Sequence, residues 1–228
     1  MSLRVKICGL TRERDAAAVA AAGALYVGAV LVPDSPRAVR PSQARRIFEA
    51  AGLPLVIVVA DREPDELAKV AEETGARVIQ LHGDESEAVC RRLRELGDWE
   101  LWKAVRVRKG DEILPAAHRW SGVVDGVLLD GWHPRQLGGS GVRFPWGALE
   151  AIRREWPSDL SLIAAGGLNP DNVEEAVRRL RPHVVDVSSG VEHAPGIKDP
   201  EAIRSFVERA ASAYPDLSKD PEDDHPAH

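Results

Sequence analysis

Two side chains of this 228-residue sequence stand where proton chemistry would need them. Cys8 ends the apolar stretch Val5-Lys6-Ile7 and precedes Gly9, while Asp130 ends the apolar run Val127-Leu128-Leu129. A thiol beside a cation such as Lys6, or near a helix N-terminus, can be held as a thiolate and act as a base. A carboxyl group closing an apolar run is placed to keep its proton and act as an acid. A base and an acid facing one substrate suit proton transfer. Each residue also has a plainer reading: a small inert core thiol, and a carboxylate that only caps a loop.

Three glycine-rich clusters accompany this pair: Gly138-Gly139-Ser140-Gly141, Gly166-Gly167 and Ser189-Gly190. Glycine lets backbone N–H groups approach an anion closely, although any one cluster also simply permits a tight turn. His82 could serve as a further acid or base, but is read as a positioning or structural residue. Cys90 stands beside Val89 and Leu93 at helical spacing and reads as packing.

The elements that must position these residues follow from the hydrophobic pattern. Short apolar runs occur at Arg4–Cys8, Leu25–Val32, Leu55–Val59, Val78–Leu81, Leu101–Val107, Val123–Leu129, Ser161–Ala165 and Val184–Val187. They lack apolar/polar alternation, which describes parallel strands buried on both faces. The intervening segments have helical period, as in Val173, Ala176, Val177 and Leu180 after an expected N-cap at Asn169-Pro170. Val89, Leu93 and Leu96 repeat in the same way, as do Ile203, Phe206 and Val207. About eight strand–helix repeats predict an α/β fold, a single (β/α)8 TIM barrel of eight parallel strands, with an open doubly wound sheet as the alternative. A barrel builds its active site at the C-terminal ends of its strands, where Cys8, Arg37, His82 and Asp130 all fall. Phosphate binds frequently after strands seven and eight, where Gly166-Gly167 and Ser189-Gly190 lie. Two clusters at the two expected mouths favour a phosphate-bearing small molecule as ligand.

Composition bounds the rest. Residues 1–214 are expected to form one catalytic domain, and the acidic, proline-broken 215–228 a disordered tail. A net charge of −6 speaks against a nucleic-acid partner. No apolar stretch reaches membrane-spanning length, so no membrane partner is expected. Two cysteines and an N-terminus without a signal-peptide pattern point to the cytoplasm.

Val5-Lys6-Ile7-Cys8-Gly9-Leu10-Thr11-Arg12 resembles the N-terminal signature of the phosphoribosylanthranilate isomerases of tryptophan biosynthesis. The resemblance continues through Ser35-Pro36-Arg37, Gln80-Leu81-His82-Gly83-Asp84-Glu85, Leu128-Leu129-Asp130, Gly138-Gly139-Ser140-Gly141 and Ala165-Gly166-Gly167-Leu168. It closes with Asp186-Val187-Ser188-Ser189-Gly190-Val191-Glu192 and Pro195-Gly196-Ile197-Lys198-Asp199, in the family's order. It implies an Amadori rearrangement of N-(5-phosphoribosyl)anthranilate, with Asp130 protonating the furanose oxygen and Cys8 removing the C2′ proton. Arg37 matches the residue that holds the anthranilate carboxylate. His82, Gly139, Ser140, Gly141, Gly166, Gly167, Ser189 and Gly190 fall in the substrate-binding segments, the glycine-rich ones matching the phosphate cradle. None of these steps calls for a metal or an organic cofactor. Family members occur as monomers or homodimers, or fused to other domains. The sequence departs from the pattern at Leu31-Val32-Pro33-Asp34, Val56-Ile57-Val58-Val59-Ala60 and Phe144-Pro145-Trp146. Two other functions would also fit a phosphate-binding barrel. A histidine-pathway isomerase performs the same rearrangement with aspartates at both catalytic positions, which Cys8 opposes. A non-catalytic phosphate-binding barrel would not need Cys8 or Asp130.

Overall fold

The computed structural model describes residues 3–131 and 145–214. Eight strands close into a barrel in chain order: β1 (Arg4–Ile7), β2 (Tyr26–Val30), β3 (Leu55–Val59), β4 (Val78–Leu81), β5 (Glu100–Val107), β6 (Gly126–Gly131), β7 (Ser161–Ala164) and β8 (Val184–Val187). All neighbours run parallel, and β1 closes the ring on β8 with Arg4 opposite Val184 and Lys6 opposite Asp186. The helices are α1 (Glu13–Ala21), α2 (Pro41–Ala51), α3 (Pro64–Thr74), α4 (Glu87–Leu96), α5 (Ile113–Trp120), α6 (Trp146–Ile152), α7 (Val173–Leu180) and α8 (Pro200–Ala213).

The absent alternation in the strand sequences now has its structural cause. Within β3, Leu55, Ile57 and Val59 pack with the helices, while Val56 and Val58 belong to separate clusters inside the barrel. Period two is present, but both faces are apolar. The lower interior is filled by Tyr26, Val56, Val78, Trp102, Leu128, Ile163 and Val184. Trp102 is 1% exposed and meets Tyr26 edge to face, with ring centroids 5.2 Å apart. Barrels are packed cores of this kind, with the site above them. The same parity turns Lys6, Gln80, Asp130 and Asp186 toward the barrel axis.

Three local expectations change. Val123 and Val124 form a turn on Trp120, and the sixth strand begins at Gly126 and carries Asp130 inside it rather than at its end. Asn169 does not cap a helix. Its side chain accepts from Asp171 N, and its own N–H donates to Asn172 Oδ1, so the chain makes a turn and α7 starts at Val173. A short hairpin, β9 (Glu192–Ala194) with β10 (Ile197–Lys198), follows the eighth strand and was not expected from its length. Cys90 is fully buried in α4. Residues 215–228 lie outside the described residues.

Trp102→Ala removes the largest fully buried side chain beneath the site. It is expected to cost about 3–5 kcal/mol, measured by urea unfolding.

Candidate active site

The strand ends open onto one cavity of about 730 Å³, counted out to its mouth. Cys8 enters it from the end of β1 and Asp130 from within β6, with Arg37 reaching in from the loop after β2. Gln80 and His82 come from β4 and its end, and Gly166, Gly167, Ser188 and Ser189 from the ends of β7 and β8. Val30, Val32 and Val58 give one wall an apolar surface. Of the sequence-derived candidates, Cys8, Arg37, His82, Asp130, Gly166, Gly167 and Ser189 all line this space. Gly139, Ser140 and Gly141 lie outside the described residues.

Gly166 and Gly167 both adopt left-handed backbone, at φ 79° and 66°, which side-chain-bearing residues rarely hold. The Asn172 amide donates to Gly167 O at 2.8 Å and fixes that turn. Gly190 is not part of the cavity lining. A Cβ there would stand 1.9 Å from Leu168 O, so this glycine lets the loops after β7 and β8 pack together.

Beneath Cys8, Lys6 Nζ donates to Asp186 Oδ1 at 2.9 Å, with Lys6 completely buried. Burial pulls the Lys6 pKa down, but Asp186 and Cys8 more than reverse this, so the ammonium is held. Lys6 Cε and Cys8 Sγ both lie 3.1 Å from the same point, the place of a Cβ on Gly28. The cation expected beside the thiol is therefore present. The net effect differs from the expected thiolate: burial raises the Cys8 pKa, Lys6 lowers it and Asp186 raises it again, for a net rise. Cys8 thus favours the thiol over the thiolate.

Asp130 is 3% exposed, and its pKa is pushed up to about 7. Burial is the chief cause and the nearby Asp186 charge the second; the Gly131 N–H, Arg106 and Lys6 oppose them. His82 is drawn down to about 3, first by burial and then by Lys103, Lys6 and Arg106, so it is neutral. Its Nδ1 lies 2.9 Å from Gln80 Nε2, and its Nε2 3.8 Å from Asp130 Oδ2. Gln80 Oε1, His82 Nε2 and Asp130 Oδ1 are buried without a hydrogen-bond partner among the described residues. Buried polar atoms are normally paired, so three orphans on one cavity wall mark where a hydroxyl-bearing ligand would complete the bonding.

Arg37 is buried and already committed on one side. Its Nε and Nη2 donate to Glu192 Oε1 and Oε2 at 2.8 and 2.7 Å. Glu192 also accepts from Lys198 Nζ at 2.8 Å and from Gly196 N at 3.2 Å. Burial raises the Glu192 pKa, but Arg37 and Lys198 outweigh it and keep the carboxylate ionised. Gln80, Asp186, Ser188, Glu192 and Lys198 are site residues to which the sequence reading assigned no role. Lys6 within Val5–Ile7 and Asp186 within Val184–Val187 did carry a signal, since a charge in a doubly buried strand must have a partner. Among the described residues, no group of three or more His, Cys, Asp and Glu side chains is placed to hold a metal ion.

A (β/α)8 barrel with a thiol, a proton-retaining carboxyl, an arginine fork and two left-handed glycines around one cavity defines a phosphosugar isomerase class of site. The model of the N-(5'-phosphoribosyl)anthranilate (PRA) isomerase family matches residues 5–209, and the chain belongs to that family. It is 40% identical to the N-(5'-phosphoribosyl)anthranilate isomerase of Microcystis aeruginosa over 210 residues, covering 91% of this chain and 97% of that one. Among solved structures it is similar to generated monomers of the dimeric phosphoribosylanthranilate isomerase of Thermotoga maritima. That likeness has a TM-score of 0.80 at 36% identity, covering 92% of this chain and 99% of the other. Another is a phosphoribosylanthranilate isomerase in complex with reduced 1-(o-carboxyphenylamino)-1-deoxyribulose 5-phosphate, with a TM-score of 0.77 at 34% identity, covering 92% and 99%.

The Asp130 shift has a consequence for stability. Its folded pKa of about 7 lies above the ordinary 3.8, so the folded state binds this proton more tightly than the unfolded state does. The stability it contributes is whole below about pH 3.8 and is lost as pH rises through about 7. Asp130→Asn, which carries no charge at any of these pH values, should therefore be more stable than wild type at pH 8. The gain is at most about 4 kcal/mol, and the advantage should vanish near pH 4. Parallel urea titrations at the two pH values check this.

Proposed function

We infer that this chain isomerises N-(5'-phosphoribosyl)anthranilate to 1-(2-carboxyphenylamino)-1-deoxyribulose 5-phosphate, the Amadori rearrangement of tryptophan biosynthesis. The observation that carries the mechanism is that Cys8 and Asp130 share one cavity and that Asp130 keeps its proton to about pH 7. Asp130 donates that proton to the furanose ring oxygen, the C1′–O bond breaks, and the anilinic nitrogen's lone pair forms a cationic Schiff base. Cys8, as thiolate, accepts the C2′ proton, and the electrons of that C–H bond neutralise the Schiff base to an enolamine. Tautomerisation to the ketone completes the reaction.

The resting thiol does not contradict this order. Lys6 already favours the thiolate, and the cationic Schiff base adds a second positive charge beside it. The thiol gives its proton to solvent at the cavity mouth as this charge develops, so the thiolate is most populated when the C2′ proton has to be accepted. Gln80, neutral His82 and Asp130 offer their unpaired atoms to the ribose hydroxyls and ring oxygen. The phosphate is held at Gly166-Gly167 and Ser188-Ser189, with Gly139, Ser140 and Gly141 as the third part of the cradle. The anthranilate ring lies against Val30, Val32 and Val58, with its carboxylate at Arg37.

Residues 1–214 make up the catalytic domain, with 215–228 as an appended acidic tail. The chain works as a monomer or a homodimer, which sedimentation distinguishes, and acts on a small molecule rather than on nucleic acid. No helix among the described residues is long and apolar enough to cross a membrane, and a cytoplasmic location suits a biosynthetic enzyme of this kind.

The direct test is the fluorescence decay of phosphoribosylanthranilate generated in situ. Cys8→Ala and Cys8→Ser should lose nearly all turnover. Asp130→Asn should lose about 10² to 10⁴ in kcat, the usual worth of a general acid. Wild-type activity should fall as pH rises through about 7, because the acid must be protonated, and this limb should be missing in Asp130→Asn. On an already opened substrate Asp130→Asn should work nearly as well as wild type while Cys8→Ala fails. Equal failure of both on that compound would show that Asp130 serves a later step.

A further inference from the structure

The reaction as described uses Arg37 but leaves unexplained why a buried arginine, offered to a substrate carboxylate, is already paired with a protein carboxylate. The contact is two-pronged, Nε to Oε1 at 2.8 Å and Nη2 to Oε2 at 2.7 Å, and both side chains are almost fully enclosed. A guanidinium has two edges that match a carboxylate: the side formed by Nε and Nη2, and the end formed by Nη1 and Nη2. Glu192 occupies the first. Nη1 has no partner among the described residues, while Arg37 lines the cavity, so the end edge is the one left for a ligand.

An arginine neutralised by a glutamate would attract a second carboxylate weakly. The structure supplies the missing charge. Lys198 Nζ, itself fully buried, donates to Glu192 Oε1 at 2.8 Å and to Ser188 O at 3.0 Å. Burial pulls the Lys198 pKa down and the Glu192 carboxylate opposes that pull; with Lys198 as the ammonium that donates to Glu192, the cluster Arg37, Glu192 and Lys198 carries a net single positive charge. It is held by a hairpin that is itself tied down: Lys198 N donates to Asp15 Oδ2 at 3.2 Å, and Thr11 Oγ1 to Gly196 O at 2.5 Å. Ser188, at the other end of the Lys198 contact, lines the same cavity on its phosphate side.

We propose that Glu192 is a positioning residue that clamps the Arg37 guanidinium with its end edge toward the substrate carboxylate, and that Lys198 supplies the charge that lets the clamped arginine still bind an anion. The hairpin β9–β10 is thereby part of the specificity for a carboxylate-bearing aromatic amine. The proposal rests on the assignment of Arg37 to that carboxylate, and its test separates the two.

Glu192→Gln keeps the shape and can no longer accept from both arms of the fork as a charged group. It should raise KM for phosphoribosylanthranilate about tenfold, the scale of one charge-assisted hydrogen bond, with kcat little changed. The affinity for inorganic phosphate alone should be unchanged, which a general loosening of the barrel mouth would not allow. Lys198→Met, which leaves the Arg37–Glu192 fork in place, should also raise KM, and this serves if Glu192→Gln fails to fold. For a phosphoribosyl-aniline lacking the carboxylate, wild type and both variants should be alike. Arg37→Ala in the Glu192→Gln background should cost less than it does in wild type, because the two act through one contact. If Arg37→Ala raises KM selectively for the carboxylate substrate while Glu192→Gln and Lys198→Met do not, the clamp is wrong and the Arg37 assignment stands. If Arg37→Ala shows no such selectivity, the assignment itself falls.

Discussion

The pairing of β1 with β8 is the constraint on which the site depends. It closes the barrel and, in register, sets Lys6 directly opposite Asp186. Two opposite charges buried in the middle of a barrel are tolerable only as a pair, since each alone would carry a desolvation cost of several kcal/mol. Their contact at 2.9 Å satisfies that requirement and places a fixed dipole under the cavity floor. Cys8 sits one turn of the pleat above Lys6, and its titration is governed by this pair once burial has been counted. Asp130 feels the same Asp186 charge from β6.

Base and acid are thus both tuned by one structural ion pair, whose lysine is the larger influence on Cys8 and whose aspartate is the larger influence on Asp130. Lys6 favours the thiolate at Cys8, and Asp186 favours the protonated form at Asp130. Burial works on both groups toward the neutral form. Cys8 therefore favours its thiol form, and Asp130 keeps its proton to near neutrality. Substrate chemistry then changes the balance, because ring opening adds a cation that, unlike Lys6, has no carboxylate partner of its own. The arrangement is an instance of environment dividing two titratable groups into distinct roles.

A second charged cluster stands at the rim. Glu85 anchors the loop after β4 by accepting from Asp61 N and Gly83 N at 3.1 Å and from Lys103 Nζ at 3.0 Å. Across the mouth, Glu192 does comparable work for Arg37 and Lys198. Both glutamates are buried acceptors that collect donors from separate loops, so the mouth is held by polar contacts where the floor is held by packing. Loops that carry binding groups need such fixation, because they have few apolar contacts of their own.

The strands could be read from the chain because each is a short, doubly buried apolar run, and their number implied a barrel. Cys8, Arg37, His82 and Asp130 could be read as mouth residues because a barrel puts strand ends on one face. Helix and strand boundaries were less legible where side chains compete for the backbone, as Asn169 and Asn172 do before α7, or where an apolar pair such as Val123-Val124 sits in a turn. What only the folded chain decided is which charges meet. Lys6 and Asp186 are 180 positions apart, and Arg37 and Glu192 are 155 apart. No local spacing expresses such a pairing, because it is set by barrel closure and loop docking. The resting state of Cys8 belongs to the same category. The sequence shows a lysine two residues away, whereas the depth of burial that outweighs it exists only once eight strands surround the thiol.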